Sequence, residues 1–193
     1  MCIAIRFCLL LGSILLTPLA VAHDSNIATF QVRHIGPDRW VYEIMAPLAA
    51  LDMSLRAELE TGSTVADLSL DDPVYKKALV KHLKKGFNMN ALTNPLEGGE
   101  FEHLATLSLG AGRIKLEPHL SVLIFDIKNM PSAPDALKFH ISSMSQNPSQ
   151  LNLLRLIEGQ RTKKYILNHN NNFSGLDKGF FTAEATQTIN VAS

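Results

Sequence analysis

The sequence has very few cysteines, and both lie near its beginning. Cys2 and Cys8 are the only two among 193 residues, which excludes a disulfide framework or a cysteine nucleophile in the rest of the chain. Net charge is lacking as well, because 18 basic residues balance 18 acidic ones. No whole-molecule field therefore favours nucleic acid or an anionic membrane as a partner.

Long hydrophobic runs are also scarce. The apolar run over residues 7–16 covers about ten residues, whereas a helix that crosses a bilayer needs roughly twenty. The densest later stretch, residues 120–127, is interrupted by Ser121 and Asp126. The sequence therefore predicts no transmembrane segment.

The start of the chain has the three parts of a secretory signal peptide in order. Arg6 precedes the apolar run, and the small residues Ala20 and Ala22 form the cleavage pattern A-x-A. We expect residues 1–22 to be removed between Ala22 and His23, which places the protein in the periplasm or outside the cell. No cysteine follows the cleavage site, so a lipid anchor is not expected. Cleavage removes both cysteines and Arg6, which leaves 17 basic and 18 acidic residues.

Residues 23–169 have the pattern of a single, mainly β domain. Alternation such as that of Ala28, Phe30 and Val32 with polar neighbours is typical of half-buried strands. We predict strands over residues 27–35, 39–46, 87–92, 101–109, 113–129 (as two strands broken near Pro118), 136–142, 151–157 and 162–167. A turn is expected at residues 110–112, where two glycines flank an alanine.

Helical periodicity occurs only near residues 48–60 and 73–85. Asp72 and Pro73 are a strong start signal for the second helix, and Gly86 follows its end. Its lysines, including Lys77 and Lys84, are interpreted as a solvated face, with an anionic partner as the alternative. His82 falls on the apolar stripe of this helix.

Short strands with turn signals indicate an antiparallel immunoglobulin-like sandwich, with the two helices inserted after the first hairpin. From residue 170 the chain is polar and asparagine-rich. We therefore expect residues 170–193 to be a loose C-terminal tail.

Three segments resemble a known pattern. They are RWVYEI at residues 39–44, YKKALVKHL at residues 75–83 and LNLLRL at residues 151–156. Together with the export junction, they resemble the extracytoplasmic domain of HupE/UreJ-like hydrogenase/urease accessory proteins and related short exported proteins of unknown function. The resemblance implies the fold and the compartment. The metal-transport role suggested for such proteins would belong to their membrane helices, so it is not carried over, and neither is any catalytic residue.

Cleavage creates the sharpest chemical feature. A histidine at the mature N-terminus offers its amino group and its imidazole as adjacent nitrogen ligands, which suits copper. His23 is thus a candidate metal ligand, and the second ligand is left open among four histidines: His34, His103, His119 and His140. The alternative is that His23 is an ordinary frayed terminal residue.

The sequence has no G-x-S-x-G, H-E-x-x-H or glycine-rich phosphate motif. The leading hypothesis is an exported, non-enzymatic accessory or binding module for an unknown protein or small ligand of the cell envelope. A periplasmic copper-binding protein that uses His23 is the alternative. A third reading is a hydrolase or oxygenase whose site is assembled by the fold.

Overall fold

The computed structural model describes residues 27–36, 39–59, 68–93, 103–147 and 149–182. Within these ranges the chain forms ten strands and two helices. The strands are β1 Ile27–Gly36, β2 Arg39–Ala46, β3 Phe87–Leu92, β4 His103–Leu104, β5 Thr106–Lys115, β6 Ser121–Lys128, β7 Ala136–Ile141, β8 Leu151–Glu158, β9 Arg161–Leu167 and β10 Ser174–Lys178. The helices are α1 Leu48–Glu58 and α2 Pro73–Lys85. The prediction of a mainly β protein is confirmed.

The strands form one six-stranded and one four-stranded sheet. Their orders are β5-β6-β2-β1-β8-β9 and β10-β7-β3-β4. The smaller sheet is antiparallel, but in the larger one β1 runs parallel to β8, from the pair Ile27 and Leu151 to the pair His34 and Glu158. The expectation of an entirely antiparallel fold is therefore wrong for the larger sheet. A parallel pair needs a long crossover, and the chain between β1 and β8 supplies it.

The inner faces of the two sheets share one hydrophobic core. Alternate residues on the strands, such as Phe30 and Tyr42, are fully buried, as the period-two pattern predicts. The ring of Tyr42 lies 4.5 Å from that of Phe87, and the ring of Phe139 lies 5.0 Å from that of Tyr165. These pairs join the larger sheet to the smaller one.

Local sequence signals fix α2 at its predicted bounds. The side chain of Asp72 accepts a hydrogen bond from the backbone N–H of Val74 at 2.7 Å, which satisfies one donor of the first turn. Leu79 and Leu83 are fully buried on the inner side of the helix. The first helix, α1, ends at Glu58, so its predicted extension is wrong at Leu59, which is extended; residue 60 lies outside the described ranges.

The predicted turn at residues 110–112 is wrong. Strand β5 runs through this segment, and its pairing with β6 shifts register between Leu109 and Ile114. Glycine inside a strand often marks a bulge of this kind. The predicted strand over residues 101–109 is divided at Ala105 into β4 and β5.

The tail expected from residue 170 is not loose throughout. Strand β10 pairs with β7, and the carboxylate of Asp177 is 1% exposed. Lys163 Nζ and the hydroxyl of Tyr165, both on β9, each donate to Asp177 Oδ1 at 2.6 Å. Asp177 raises the pKa of Lys163, while burial and Asp177 together raise the pKa of Tyr165 to about 12. These bonds join the two sheets, so the prediction is wrong for this segment; residues 183–193 lie outside the described ranges.

Neither α1 nor α2 has the length and apolar character that crossing a bilayer would require. The prediction for His82 is confirmed, since its side chain is buried against the core.

Candidate functional site

The outer face of the six-stranded sheet is rich in cations. Side chains alternate along each strand, so residues next to the buried positions point away from the core. We call this surface the basic face and define it by seven cations: Arg33, Arg39, Arg113, Lys115, Lys128, Arg155 and Lys164. Its acidic residues within the described strands are Glu43 and Asp126. This face therefore carries more basic than acidic residues, although the chain as a whole has no net charge.

Three of these cations are neutralised locally. Arg33 lies 3.5 Å from Glu43, and Arg113 lies 2.7 Å from Asp126. Lys115 forms a 2.8 Å ion pair with Glu117 in the following loop. The remaining four have no acidic partner among the residues that the structure describes, namely Arg39, Lys128, Arg155 and Lys164.

Arg155 and Lys164 are direct cross-strand neighbours on β8 and β9. Like charges in this position destabilise a sheet. Nε of Arg155 is also buried without a hydrogen-bond partner in the described part of the chain. An arrangement that costs stability and leaves a donor unused suits a site that binds an anion.

Two open grooves lie at the end of the basic face where β1 passes into β2. One has a volume of about 520 Å³ and is lined by Arg39, Trp40 and Lys128 among others. The other has a volume of about 470 Å³ and is lined by Arg33 and His34 among others. Ile35 lines both, so the grooves are neighbours.

A row of paired residues supports these grooves from the core side. The ring of His34 stacks on that of Trp40 with centroids 4.4 Å apart, and its Nδ1 lies 3.3 Å from Glu158 Oε1. Arg161 binds the other oxygen of Glu158, and Trp40 Nε1 donates to the carbonyl of Pro131 at 3.1 Å. The wall of the grooves is therefore held in place by neighbours on four strands and one loop.

His34 has a feature typical of metal-binding histidines. A carboxylate that accepts the proton of Nδ1 leaves Nε2 free to act as a ligand. Nε2 of His34 is buried and has no hydrogen-bond partner in the described residues. Within those residues no three His, Cys, Asp or Glu side chains converge on one point.

The structure places the candidate ligands His34, His119 and His140 on separate elements. His119 is exposed just before β6, and His140 Nδ1 lies 2.9 Å from Ser174 Oγ on the smaller sheet. His103 lies in β4 opposite Ala91, and His23 lies outside the described residues.

A second polar cluster, which sequence reasoning missed, lies between the helices and the loop after β7. Ser54 Oγ lies 2.8 Å from His82 Nε2, and that nitrogen lies 2.8 Å from the carbonyl oxygen of Ser143. His82 Nδ1 contacts the carboxylate of Glu58, which also binds Lys85. Lys85, assisted by His82, holds the pKa of Glu58 below its ordinary value despite the opposing effect of burial.

The His82 ring lies between polar partners on both sides, with Glu58 at Nδ1 and with Ser54 and the Ser143 carbonyl at Nε2. The serine, histidine and glutamate are ordered as in a catalytic triad, but Ser54 is 3% exposed and its hydroxyl donates to the Ser143 carbonyl. In this conformation the cluster joins α1 and α2 to the sheet rather than presenting a nucleophile.

Comparison with known proteins gave no match, either to a family model or to a curated protein.

Proposed function

We propose that this protein is an exported, non-enzymatic binding module that takes an anionic ligand at the grooves of the basic face. The observation that carries the proposal is a set of four cations on one sheet face that have no acidic partner within the described ranges, in a chain with no net charge. Arg39 and Lys128 flank the larger groove, the exposed Ile35 provides an apolar wall, and the buried Trp40 borders it. Cations beside an apolar wall suit a small anion with a carbon skeleton.

The signal-peptide pattern of residues 1–22 supports an envelope location, either periplasmic or secreted. The resemblance to the extracytoplasmic domain of HupE/UreJ-like proteins supports an accessory role. The two facing sheets support a β-sandwich. As part of this proposal, the strands are connected as in an immunoglobulin-like fold.

Trp40 offers a direct test because it is the only tryptophan in the chain. Phosphate, pyrophosphate and citrate would be titrated separately while Trp40 emission is recorded. We expect a saturable change with at least one anion. The double variant Arg39→Gln with Lys128→Gln should weaken it at least 10-fold, whereas Lys77→Gln on α2 should leave it unchanged. If no anion changes the emission, or if the groove variant binds like wild type, the proposal is wrong.

A copper-binding role is the second candidate, favoured by the unpartnered Nε2 of His34 and by the expected cleavage before His23. Copper bound at His34 would quench Trp40, because the two rings are stacked. Copper bound at His23 would lose affinity when one residue is added ahead of it. Titration of the processed protein and of the extended form, with His34→Gln and His119→Gln in each, separates the two sites. Unchanged affinity in every variant would exclude both.

A further inference from the structure

We infer that the basic face docks on an anionic membrane surface, with lipid headgroups as the ligand. This inference rests on the proposed function, since it names the partner of the same face. The chain composition gave no reason to expect such a partner. The fold supplies it by bringing Arg39, Lys128, Arg155 and Lys164 to one sheet face, where the described residues offer them no acidic partner.

The basic face also exposes apolar side chains between its cations. Ile35, Leu151 and Ile166 are 45%, 42% and 55% exposed, and all three lie on this side of the sheet. Cross-strand pairing extends Ile166 into a row that crosses five strands: Ile166, Leu153, Thr29, Met45 and Val122. A surface that attracts phosphate groups and also buries apolar groups fits the interfacial region of a bilayer.

The shape of the face suits a flat partner. Six strands at a spacing of about 4.8 Å give a surface about 24 Å wide, and its cations lie on strands from β9 to β5. Arg39 and Lys128 line the larger groove, whereas Arg155 lies two strands from Arg39 and Lys164 lies three strands from it. A small anion in one groove would contact only part of this set, but a membrane surface would contact all of it.

Nucleic acid fits the face less well. Proteins that hold single strands stack bases on exposed aromatic rings. On the described strands of the larger sheet the aromatic residues point inward. Four of them are buried: Phe30, Trp40, Tyr42 and Phe125. The basic face therefore offers cations and aliphatic groups without a stacking platform.

The lysine face of α2 is the competing docking surface. Lys77, Lys81 and Lys84 are exposed there, but Val74 is the only large hydrophobic residue of that helix that is exposed. The face lacks the row of apolar side chains that the sheet provides. Lysines on α2 therefore serve as the matched control for charge without apolar contact.

The test is co-sedimentation of the processed protein with vesicles. One set contains phosphatidylglycerol mixed with phosphatidylcholine, and the other contains phosphatidylcholine alone. We expect binding only to the anionic set, with affinity that falls as salt is added. The double variant Arg155→Gln with Lys164→Gln should bind about 30-fold more weakly, because each cation near an anionic surface contributes about a fivefold factor. The control double variant, Lys77→Gln with Lys84→Gln, should keep its vesicle affinity within about twofold of wild type.

Several results would overturn the inference: equal binding to both vesicle sets, no effect of the sheet variant, an equal loss in the α2 control, or tighter binding to single-stranded DNA than to anionic vesicles. Circular dichroism and Trp40 emission would confirm that each variant is folded. If small anions still change Trp40 emission while vesicles do not bind, only the membrane inference fails. If neither binds, the proposed function fails with it.

Discussion

Arg155 and Lys164 face each other across β8 and β9, although two cations in this position repel. Replacing Lys164 with Gln removes the repulsion and keeps a side chain of similar length. We expect the free energy of unfolding to rise by about 0.2–1 kcal/mol, measured by urea denaturation at low salt.

The control is Lys138→Gln, an exposed lysine whose cross-strand neighbours are Asn90 and Leu176. It should change stability by less than about 0.5 kcal/mol. A gain that is equal in the two variants, or a loss in Lys164→Gln, would show that the pair does not carry a stability cost.

The buried carboxylate of Asp177 joins the two sheets. Asp177→Asn keeps its shape but removes the charge that accepts from Lys163 and Tyr165. We expect a loss of about 1.5–3 kcal/mol in the free energy of unfolding, because hydrogen bonds to charged groups are worth that much. Thermal unfolding measures the effect. Asp71→Asn is the control, since Asp71 is exposed. A similar loss of stability in the two variants would contradict the role given to Asp177.

Glu58 should make stability depend on pH in the acid range. Its pKa is lower in the folded protein than its ordinary value of 4.5, so its contribution is present above that value and is lost as pH falls through the folded pKa. Glu58→Gln should therefore be less stable than wild type at pH 7, and the difference should shrink below pH 4.5. Unfolding by urea at a series of pH values measures the two curves.

Glu117→Gln is the control for Glu58, because Glu117 pairs with the exposed Lys115 at the surface. Its free energy of unfolding, plotted against pH, should run parallel to that of wild type. A constant difference between Glu58→Gln and wild type at all pH values would contradict the role given to Glu58.

Gly86 is required by a close backbone approach. A Cβ at this position would lie 2.5 Å from both Cα and N of Ser143, and the Gly86 carbonyl accepts from Ser142 N–H at 2.8 Å. Gly86→Ala should therefore cost about 2–3 kcal/mol, because neither backbone can move freely. Gly36→Ala has open space around its Cβ and should be nearly neutral. Equal thermal stability of the two variants would contradict this explanation.

Local signals made much of the fold predictable. The hairpin of β1 and β2 has clear alternation, and α2 has Asp72 at its start and Gly86 at its end. The prediction of a loose tail failed from residue 174 onward because Gly175 and Asp177 are rare in strands. In the structure both occupy inward-facing positions of β10. Gly110 and Gly112 could have indicated a bulge as well as a turn.

The sites depended on contacts that no local pattern reveals. The charge of the basic face comes from strands that are far apart in sequence, so composition showed only a neutral chain. The cluster around His82 likewise combines Ser54 and Glu58 of α1 with Ser143 of a later loop. The helical pattern could place His82 on the inner side of α2, but it could not identify its partners.

The parallel pairing of β1 with β8 has a consequence for the order of folding. His34 and Glu158 meet across 124 residues of chain, and β1 stands in the middle of its sheet. Pairings between distant segments slow folding, because loop-closure entropy must be paid before they form. The larger sheet cannot be completed until the chain has been synthesised beyond β8. Until then β1 can pair on one side only, with β2.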